Sequence, residues 1–167
     1  YRTVLADLDT PLSVYLKLAS GPDTYLLESV EGGETWGRFS IIGLPCKKRY
    51  ALSGTRLVTY EKGVGVQQDD VSDPLEALAQ LQDQFNVPHL EELPVFTGGL
   101  VGYLGYEIVQ RFEPRLVDED KHDELSTPDL VMLLSEEVAV FDNLAGRLYL
   151  VVNIDPAAPK AWFCHPS

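Results

Sequence analysis

The sequence predicts an α+β fold in which largely antiparallel β-sheet layers are flanked by a few helices. Three observations lead to this fold class. Runs rich in β-branched and aromatic residues outnumber helical segments, glycine and proline separate most of these runs, and the helices do not alternate regularly with them. The 167 residues, 45% of them hydrophobic, are enough for one domain with its own core or for a piece of a larger protein.

Two helices are predicted from their start signals. The first begins at Thr10–Pro11 and ends before Gly21–Pro22. The second, "SDPLEALAQLQDQF", is capped by Asp73 and starts at Pro74. Its packed face is predicted to consist of four residues with Phe85 nearby: Leu75, Leu78, Ala79 and Gln82.

Four β-strands follow from runs of β-branched and aromatic residues, at 24–30, 38–43, 47–53 and 56–61. A hairpin is predicted near the end of the chain, with "LVMLLSEEVAVFD" and "RLYLVVNID" on either side of the turn "NLAG". The acidic segment from Val117 to Asp129 is expected to be an exposed, mobile loop. Periodicity is lost after this hairpin, so the domain is expected to span residues 1–155 and residues 156–167 a tail or truncated linker.

Composition excludes several classes of function. The chain has 26 acidic and 13 basic residues, a formal charge of −13 that argues against binding nucleic acid or an anionic membrane surface. Cys46 and Cys164 make no disulfide framework and match no zinc spacing, which indicates a reducing cytoplasm. No apolar run is long enough to cross a bilayer and no signal peptide is recognised. Because the chain starts at Tyr1, an N-terminal piece is expected to be missing.

No catalytic or metal-binding pattern is found. His89, His122 and His165 lie far apart in the sequence, and neither a nucleophile elbow nor a zinc motif is present. The run "FTGGLVGYLGYE" (residues 96–107) matches neither a dinucleotide fingerprint nor a P-loop. Its glycines are expected to let a backbone or a ligand approach a strand closely, and packing of a backbone is the favoured interpretation.

The segment Tyr25–Gly43, "YLLESVEGGETWGRFSIIG", places charged and hydroxyl side chains where a buried strand is expected. Glu28 is a partner type that suits an ammonium group, whereas Ser29, Arg38 and Ser40 suit a carboxylate. Together they predict a pocket for a small zwitterion with an apolar body. The alternative is a solvated strand end with Arg38 paired to a nearby acid, and the pattern alone favours this alternative.

The register of this segment depends on the turn between its two strands. A two-residue hairpin at Gly32–Gly33 would set Leu27 opposite Arg38 and Glu31 opposite Glu34. One face of the pair would then carry Tyr25, Ser29, Trp36, Arg38 and Ser40. Like charges at Glu31 and Glu34 disfavour that turn, so a longer loop is equally consistent with the sequence.

Four stretches, in order, resemble the amino-terminal region of anthranilate synthase component I: "TPLSVYLKL", "YLLESVEGGETWGRFSIIG", "FTGGLVGYLGYE" and "PDLVMLLSEEVAVFDNLAGRLYLVVN". The resemblance covers nearly all of residues 10–155. It implies that the full-length enzyme converts chorismate and ammonia to anthranilate and pyruvate with Mg²⁺, in tryptophan biosynthesis. It also implies a separate glutamine amidotransferase component that supplies the ammonia, and tryptophan as feedback inhibitor.

The resemblance assigns an inhibitor-binding role, not a catalytic one, to the polar residues of this segment. Glu28 and Ser29 match the family's LLES segment, which belongs to the tryptophan site, and Arg38 and Ser40 lie on the following strand, which also lines it. The family's chorismate site, its Mg²⁺, its acid–base residues and a Pro-x-Met segment that completes the tryptophan pocket belong to a carboxy-terminal domain absent from this chain. The chain alone is therefore expected to hold no cofactor, to be inactive and to bind tryptophan weakly, if at all.

Two alternatives stay open at this point. The related aminodeoxychorismate synthase component I shares the architecture, and a stand-alone small-molecule-binding module would need no catalytic domain. A chain separated from its second domain would expose apolar surface, so self-association is also expected.

Overall fold

The computed structural model describes residues 1–28, 37–88, 90–111, 113, 115 and 125–156. Within these residues the helices are α1 (Pro11–Leu18), α2 (Pro74–Asp83) and a 3₁₀ helix (Tyr106–Arg111). The strands are β1 (Arg2–Leu5), β2 (Tyr25–Glu28), β3 (Phe39–Gly43), β4 (Lys48–Ser53), β5 (Arg56–Glu61), β6 (Val64–Asp70), β7 (Gly99–Leu104), β8 (Leu130–Ser135), β9 (Glu137–Asp142) and β10 (Arg147–Val152).

The strands form two five-stranded sheets in which all the pairings are antiparallel. Sheet A has the order β1-β10-β9-β3-β2, and sheet B has the order β6-β5-β4-β8-β7. The predicted α+β class with antiparallel layers is therefore confirmed. Neither α-helix of the described part is long and apolar enough to cross a bilayer.

Each sheet packs one face against a helix. Sheet A turns Ile42, Ala139 and Phe141 toward Val14 and Ala19 of the α1 region, and these side chains form one buried core. Sheet B forms a second core, made of Tyr50, Leu52, Leu57, Leu130, Met132 and Leu134, with α2 against it. Burial of these apolar faces supplies the main driving force that holds each helix on its sheet.

Both helix starts are confirmed, because their signals act locally. The hydroxyl of Thr10 accepts a hydrogen bond from the backbone N–H of Ser13, and the Ser13 hydroxyl accepts one from the backbone of Thr10. The carboxylate of Asp73 accepts from the backbone N–H groups of Leu75 and Glu76.

The predicted packed face of α2 is right at Leu78 and wrong at the other positions. Leu75 is 44% exposed, Ala79 and Gln82 are exposed as well, and Ala77 and Leu81 pack on sheet B beside Leu78. Two overlapping apolar stripes are possible on this helix. The one that buries Leu81 leaves the amide of Gln82 in water, which avoids burying a polar group without a partner.

The predicted long strand before the hairpin divides at Glu136 into two strands of different sheets. β8 belongs to sheet B and β9 to sheet A. The backbone carbonyl of Glu136 accepts from the N–H of Asn153, which ties the crossing point to the end of β10. The hairpin itself is confirmed: Asp142 pairs with Arg147 across the turn at 143–146, and Gly146 has a positive φ of 59°.

Two edge strands have no counterpart in the prediction. Every residue of β6 is exposed, so its sequence "VGVQQDD" carries no buried apolar alternation, and backbone pairing with β5 holds it in the sheet. β1 similarly pairs with β10 alone among the described strands. Of the predicted loop Val117–Asp129, residues 125–127 are exposed, and the part up to 124 lies outside the described residues.

The glycine-rich run supports close packing of backbones. Gly102 on β7 lies opposite Met132, and an added Cβ would overlap the carbonyl oxygen of Val131 on β8. Gly98 has a positive φ of 140° and lies against the Asn153 side chain. The packing interpretation of these glycines is confirmed for both positions.

Candidate functional site

Two of the predicted site residues lie on neighbouring strands of sheet A, Glu28 on β2 and Ser40 on β3, and Arg38 directly precedes β3. Glu28 pairs with Ser40, and Leu27 pairs with Ile41. The two-residue hairpin, which would set Leu27 opposite Arg38, is therefore wrong, and the connection between the strands is longer.

The predicted shared face is also corrected by this register. Because cross-strand partners point to the same side of a sheet, Glu28 and Ser40 share a face, while Tyr25 points to the other one. Glu28 is exposed at the end of its strand, and Ser40 is buried. Ser29 and Trp36 lie outside the described residues.

Arg38 forms a bidentate ion pair with Asp142, the last residue of β9. Its Nε lies 3.1 Å from Oδ1 and 3.0 Å from Oδ2, and its Nη2 lies 2.6 Å from Oδ2. The guanidinium carbon also lies 4.9 Å from the centroid of the Phe39 ring. The acid beside Arg38 that the alternative interpretation, a solvated strand end, expects is therefore present, in a residue 104 positions away in the sequence.

The Asp142 carboxylate is a fixed anchor for this arginine. Its side chain is 0% exposed, and its Oδ1 accepts hydrogen bonds from the backbone N–H groups of Leu144 and Ala145. The hydrogen bond from the Arg38 guanidinium has the largest effect and holds the pKa of Asp142 below its ordinary value. The two backbone N–H groups lower this pKa further. The hydrogen bond to Asp142 also raises the pKa of Arg38.

Asn143, the next residue, binds the start of β3. Its backbone N–H donates to the carbonyl of Arg38 at 2.8 Å, and its Nδ2 donates to the hydroxyl of Ser40 at 3.0 Å. The Nδ2 atom also lies 3.4 Å from the carbonyl oxygen of Gly37. We call Asp142 and Asn143 the turn clamp, because these two residues, the last of β9 and the first of the turn after it, hold Arg38 and Ser40.

The turn clamp leaves part of the arginine accessible. The Arg38 side chain is 41% exposed, and among the described residues its Nη1 forms no hydrogen bond. A guanidinium held along one edge can donate hydrogen bonds to a second carboxylate along the other edge. Chemically, this site offers an oriented cation near one strand end and the exposed Glu28 carboxylate on the neighbouring strand.

Asp142 and Asn143 have no counterpart among the predicted site residues, although the turn itself is predicted. The pattern "FDNLAG" carries a local signal, since Asp or Asn at the end of a strand often bonds the backbone two residues later. Nothing in the sequence indicates the contact with Arg38, because the pairing of β3 with β9 brings the two residues together.

A cleft of about 330 Å³ lies elsewhere, between the end of α2 and the segment after β10. It is lined by apolar, amide and acidic side chains that include Phe85, Ser135, Glu136, Asn153 and Asp155. The amide of Asn153 is engaged by the carbonyl of Thr97 at 2.7 Å.

No part of the described chain fits a metal ion, since no three His, Cys, Asp or Glu residues there are grouped closely enough to hold one. His89, His122, His165 and Cys164 lie outside the described residues. The described Cys46 is half-buried, and burial raises the pKa of its thiol to about 11, so it is not a reactive nucleophile at neutral pH.

Comparison with curated proteins finds relatives that carry the name anthranilate synthase component 1. One from Neisseria meningitidis serogroup C is 51% identical over 164 residues, which are 96% of this chain and 33% of the relative. One from Pseudomonas aeruginosa is 46% identical over 158 residues, or 95% of this chain and 32% of the relative. One from Aquifex aeolicus is 39% identical and covers 92% of this chain and 31% of the relative.

Among solved structures, anthranilate synthase component I from Streptococcus pneumoniae matches with a TM-score of 0.53 and 25% identity, covering 92% of this chain and 31% of that chain. No protein-family model matches the sequence. The chain thus spans about a third of the length of the curated relatives that it matches, at their amino-terminal part.

Proposed function

This chain is homologous to the amino-terminal third of anthranilate synthase component 1, and on that premise we propose that it is the regulatory part of such an enzyme. The full-length protein would convert chorismate and glutamine-derived ammonia to anthranilate and pyruvate in the cytoplasm, a lyase reaction of tryptophan biosynthesis. The observation that carries the proposal is the 51% identity over 96% of the chain.

The role of the chain would be to bind tryptophan as feedback inhibitor. Arg38 would pair with the tryptophan carboxylate through the guanidinium edge that Asp142 leaves accessible. Glu28 would pair with the ammonium group, and Ser29 would bind beside it. Ser40 is 2% exposed and bonded by Asn143, so its contribution would come through the position of its strand.

Inhibition would be allosteric. If the tryptophan pocket is completed by the carboxy-terminal domain, tryptophan binds one arrangement of the two domains more tightly and shifts the population toward it.

The chorismate site, the Mg²⁺ and the catalytic residues would belong to that second domain, and a glutamine amidotransferase would be the partner. The described residues contain no group of His, Cys, Asp or Glu that could hold a metal ion, so no part in binding the Mg²⁺ is assigned to them. Residues 1–155 would form the regulatory domain and 156–167 a linker.

Self-association of the isolated chain is part of the proposal. Three leucines spaced four residues apart lie exposed along and just before α1: Leu8 is 100% exposed, Leu12 54% and Leu16 69%. An apolar row of this kind is typical of a surface that another protein part covers.

The test uses a full-length enzyme in which this chain replaces the amino-terminal third of the Neisseria meningitidis relative; we call it the joined enzyme. Anthranilate formation is followed by fluorescence while tryptophan is added. We expect inhibition, and we expect Glu28→Ala and Ser29→Ala to raise the half-inhibiting tryptophan concentration about tenfold or more, since each would remove a bond to the ligand.

The matched control is Glu61→Ala, which removes another exposed strand carboxylate, on sheet B, and should leave inhibition unchanged. A joined enzyme that tryptophan does not inhibit would contradict the regulatory role. Chorismate turnover by the 167-residue chain alone would contradict its assignment as non-catalytic. Equal loss of activity and inhibition in Glu28→Ala or Ser29→Ala would indicate a folding role.

A further inference from the structure

We propose that the turn clamp of Asp142 and Asn143 sets tryptophan affinity by holding Arg38 in its ligand-binding orientation before the ligand arrives. This inference rests on the proposed function and adds two positioning residues to it. Neither residue needs to touch the ligand. Asp142 ends β9 and Asn143 begins the turn that follows, and they act on Arg38, which precedes β3, and on Ser40 of β3.

The conformational entropy of the Arg38 side chain is part of the cost of binding a ligand. A long exposed side chain loses rotamer freedom when a ligand immobilises it, and that loss weakens binding. Here the three short N–O distances to Asp142 and the Phe39 ring beneath the guanidinium already restrict Arg38. The free edge of the guanidinium therefore points in one direction already, and little further conformational entropy is lost when a ligand binds.

The Asp142 carboxylate that anchors Arg38 is itself rigid. Asp142 is 0% exposed, pairs with Phe39 in the β3–β9 ladder and accepts two backbone hydrogen bonds from its own turn. A carboxylate held in this way cannot follow Arg38 to another position. The orientation of the guanidinium is therefore determined by the sheet, not by the ligand.

Asn143 also holds the chain where it enters β3. It donates to the carbonyl of Arg38 and to the Ser40 hydroxyl, and it also reaches the carbonyl of Gly37. These bonds fix residues 37–40, which in the sequence follow the segment that contains Ser29. The turn clamp thus holds both the backbone and the side chain of Arg38.

The experiment is a double-mutant cycle in the joined enzyme, read by calorimetric titration with tryptophan. Asp142→Asn keeps an oxygen for the N–H groups of Leu144 and Ala145 and removes the charge that binds Arg38. We expect tryptophan affinity to fall about tenfold in the Asp142→Asn variant, because charge-assisted bidentate orientation is lost. In an Arg38→Gln background the same change should alter affinity less than twofold.

The control is Glu137→Gln, which removes the carboxylate of another ion pair at the opposite end of β9, 2.9 Å from Lys47. It should leave tryptophan affinity unchanged. If Asp142→Asn does not fold, Asn143→Ala replaces it in the cycle, because Asn143 is exposed and its loss removes only the side-chain bonds to Gly37 and Ser40. For that variant we expect an affinity loss of about threefold, again only when Arg38 is present.

The outcomes separate this inference from the function on which it rests. A joined enzyme that binds no tryptophan overturns the proposed function itself. Tryptophan binding that is unaffected by the turn-clamp variants overturns the positioning role. An equal loss of affinity in the Arg38 and Arg38→Gln backgrounds also overturns it, since a purely structural contribution would not depend on the arginine.

Discussion

The phenol oxygen of Tyr25 lies 2.7 Å from the hydroxyl oxygen of Ser135, and this hydrogen bond joins β2 of sheet A to β8 of sheet B. The Tyr25 ring lies over Gly43, its cross-strand partner, where an added Cβ would overlap the ring. Ser135 is 1% exposed and is followed by Glu136, where the chain crosses between the sheets. The bond therefore couples the edge of the predicted inhibitor site to the junction of the two sheets.

We expect Tyr25→Phe to lower the free energy of unfolding by about 1 kcal/mol, because it removes a bond and leaves the buried Ser135 hydroxyl without this partner. The measurement is urea denaturation, and a double-mutant cycle with Ser135→Ala should show that the two losses are coupled. Tyr103→Phe is the control, since the Tyr103 hydroxyl bonds the carbonyl of Pro128 at an exposed position. Additive losses in the cycle would contradict the coupling of the sheets through this bond.

The ion pair of Asp142 predicts a dependence of stability on acid. Because the folded-state pKa of Asp142 is held below its ordinary value of 3.8, its stabilising contribution is present above that value and is lost as pH falls through the folded-state pKa. Urea midpoints from pH 7 to pH 2 should therefore show the wild type converging on Asp142→Asn below about pH 4. A difference between the two proteins that stays constant over this range would contradict the prediction.

Gly102 is expected to tolerate no side chain. Gly102→Ala would place a Cβ against the carbonyl of Val131, which is backbone of a paired strand and cannot move without separating β7 from β8. We expect a loss of about 3 kcal/mol or more in the free energy of unfolding. Gly65→Ala is the matched control, because the Cβ would lie 3.5 Å from Val58, an ordinary contact, on the exposed strand β6. Similar losses for both variants would contradict the steric explanation.

The exposed leucines of α1 predict how the isolated chain behaves in solution. We expect sedimentation to show association that rises with concentration, and the double variant Leu12→Gln/Leu16→Gln to shift the chain toward monomer, because the apolar row is then interrupted. Leu144→Gln, at a 76% exposed position in the β9–β10 turn, should leave the association unchanged. A wild-type chain that stays monomeric at high concentration would contradict self-association.

Signals that act within a few residues could be read without the structure. Thr10 and Asp73 mark helix starts because a capping side chain bonds backbone N–H groups two or three residues later. The β9–β10 turn is similarly indicated by its own residues. The resemblance to a known family also depends on the order of residues alone, and the relatives confirm it.

Contacts between distant residues needed the tertiary structure. Strand pairing decides that β8 joins sheet B and β9 joins sheet A. The sequence of residues 130–142 does not show this break at Glu136, because a run of consecutive apolar residues has no periodicity that would mark it. The face that α2 buries depends on the surface it meets, so Leu81 replaces Gln82 in the core.

The candidate site shows the same division. The sequence by itself determined that Glu28, Ser29, Arg38 and Ser40 are polar residues in a strand-like segment, and their role in binding an inhibitor stays a prediction. Only the tertiary structure decided that Ser40 is buried and that Arg38 is held by Asp142, 104 residues away. The physical reason is that residue type and local spacing determine short-range hydrogen bonds, whereas the partner of a charged side chain depends on which strands pair.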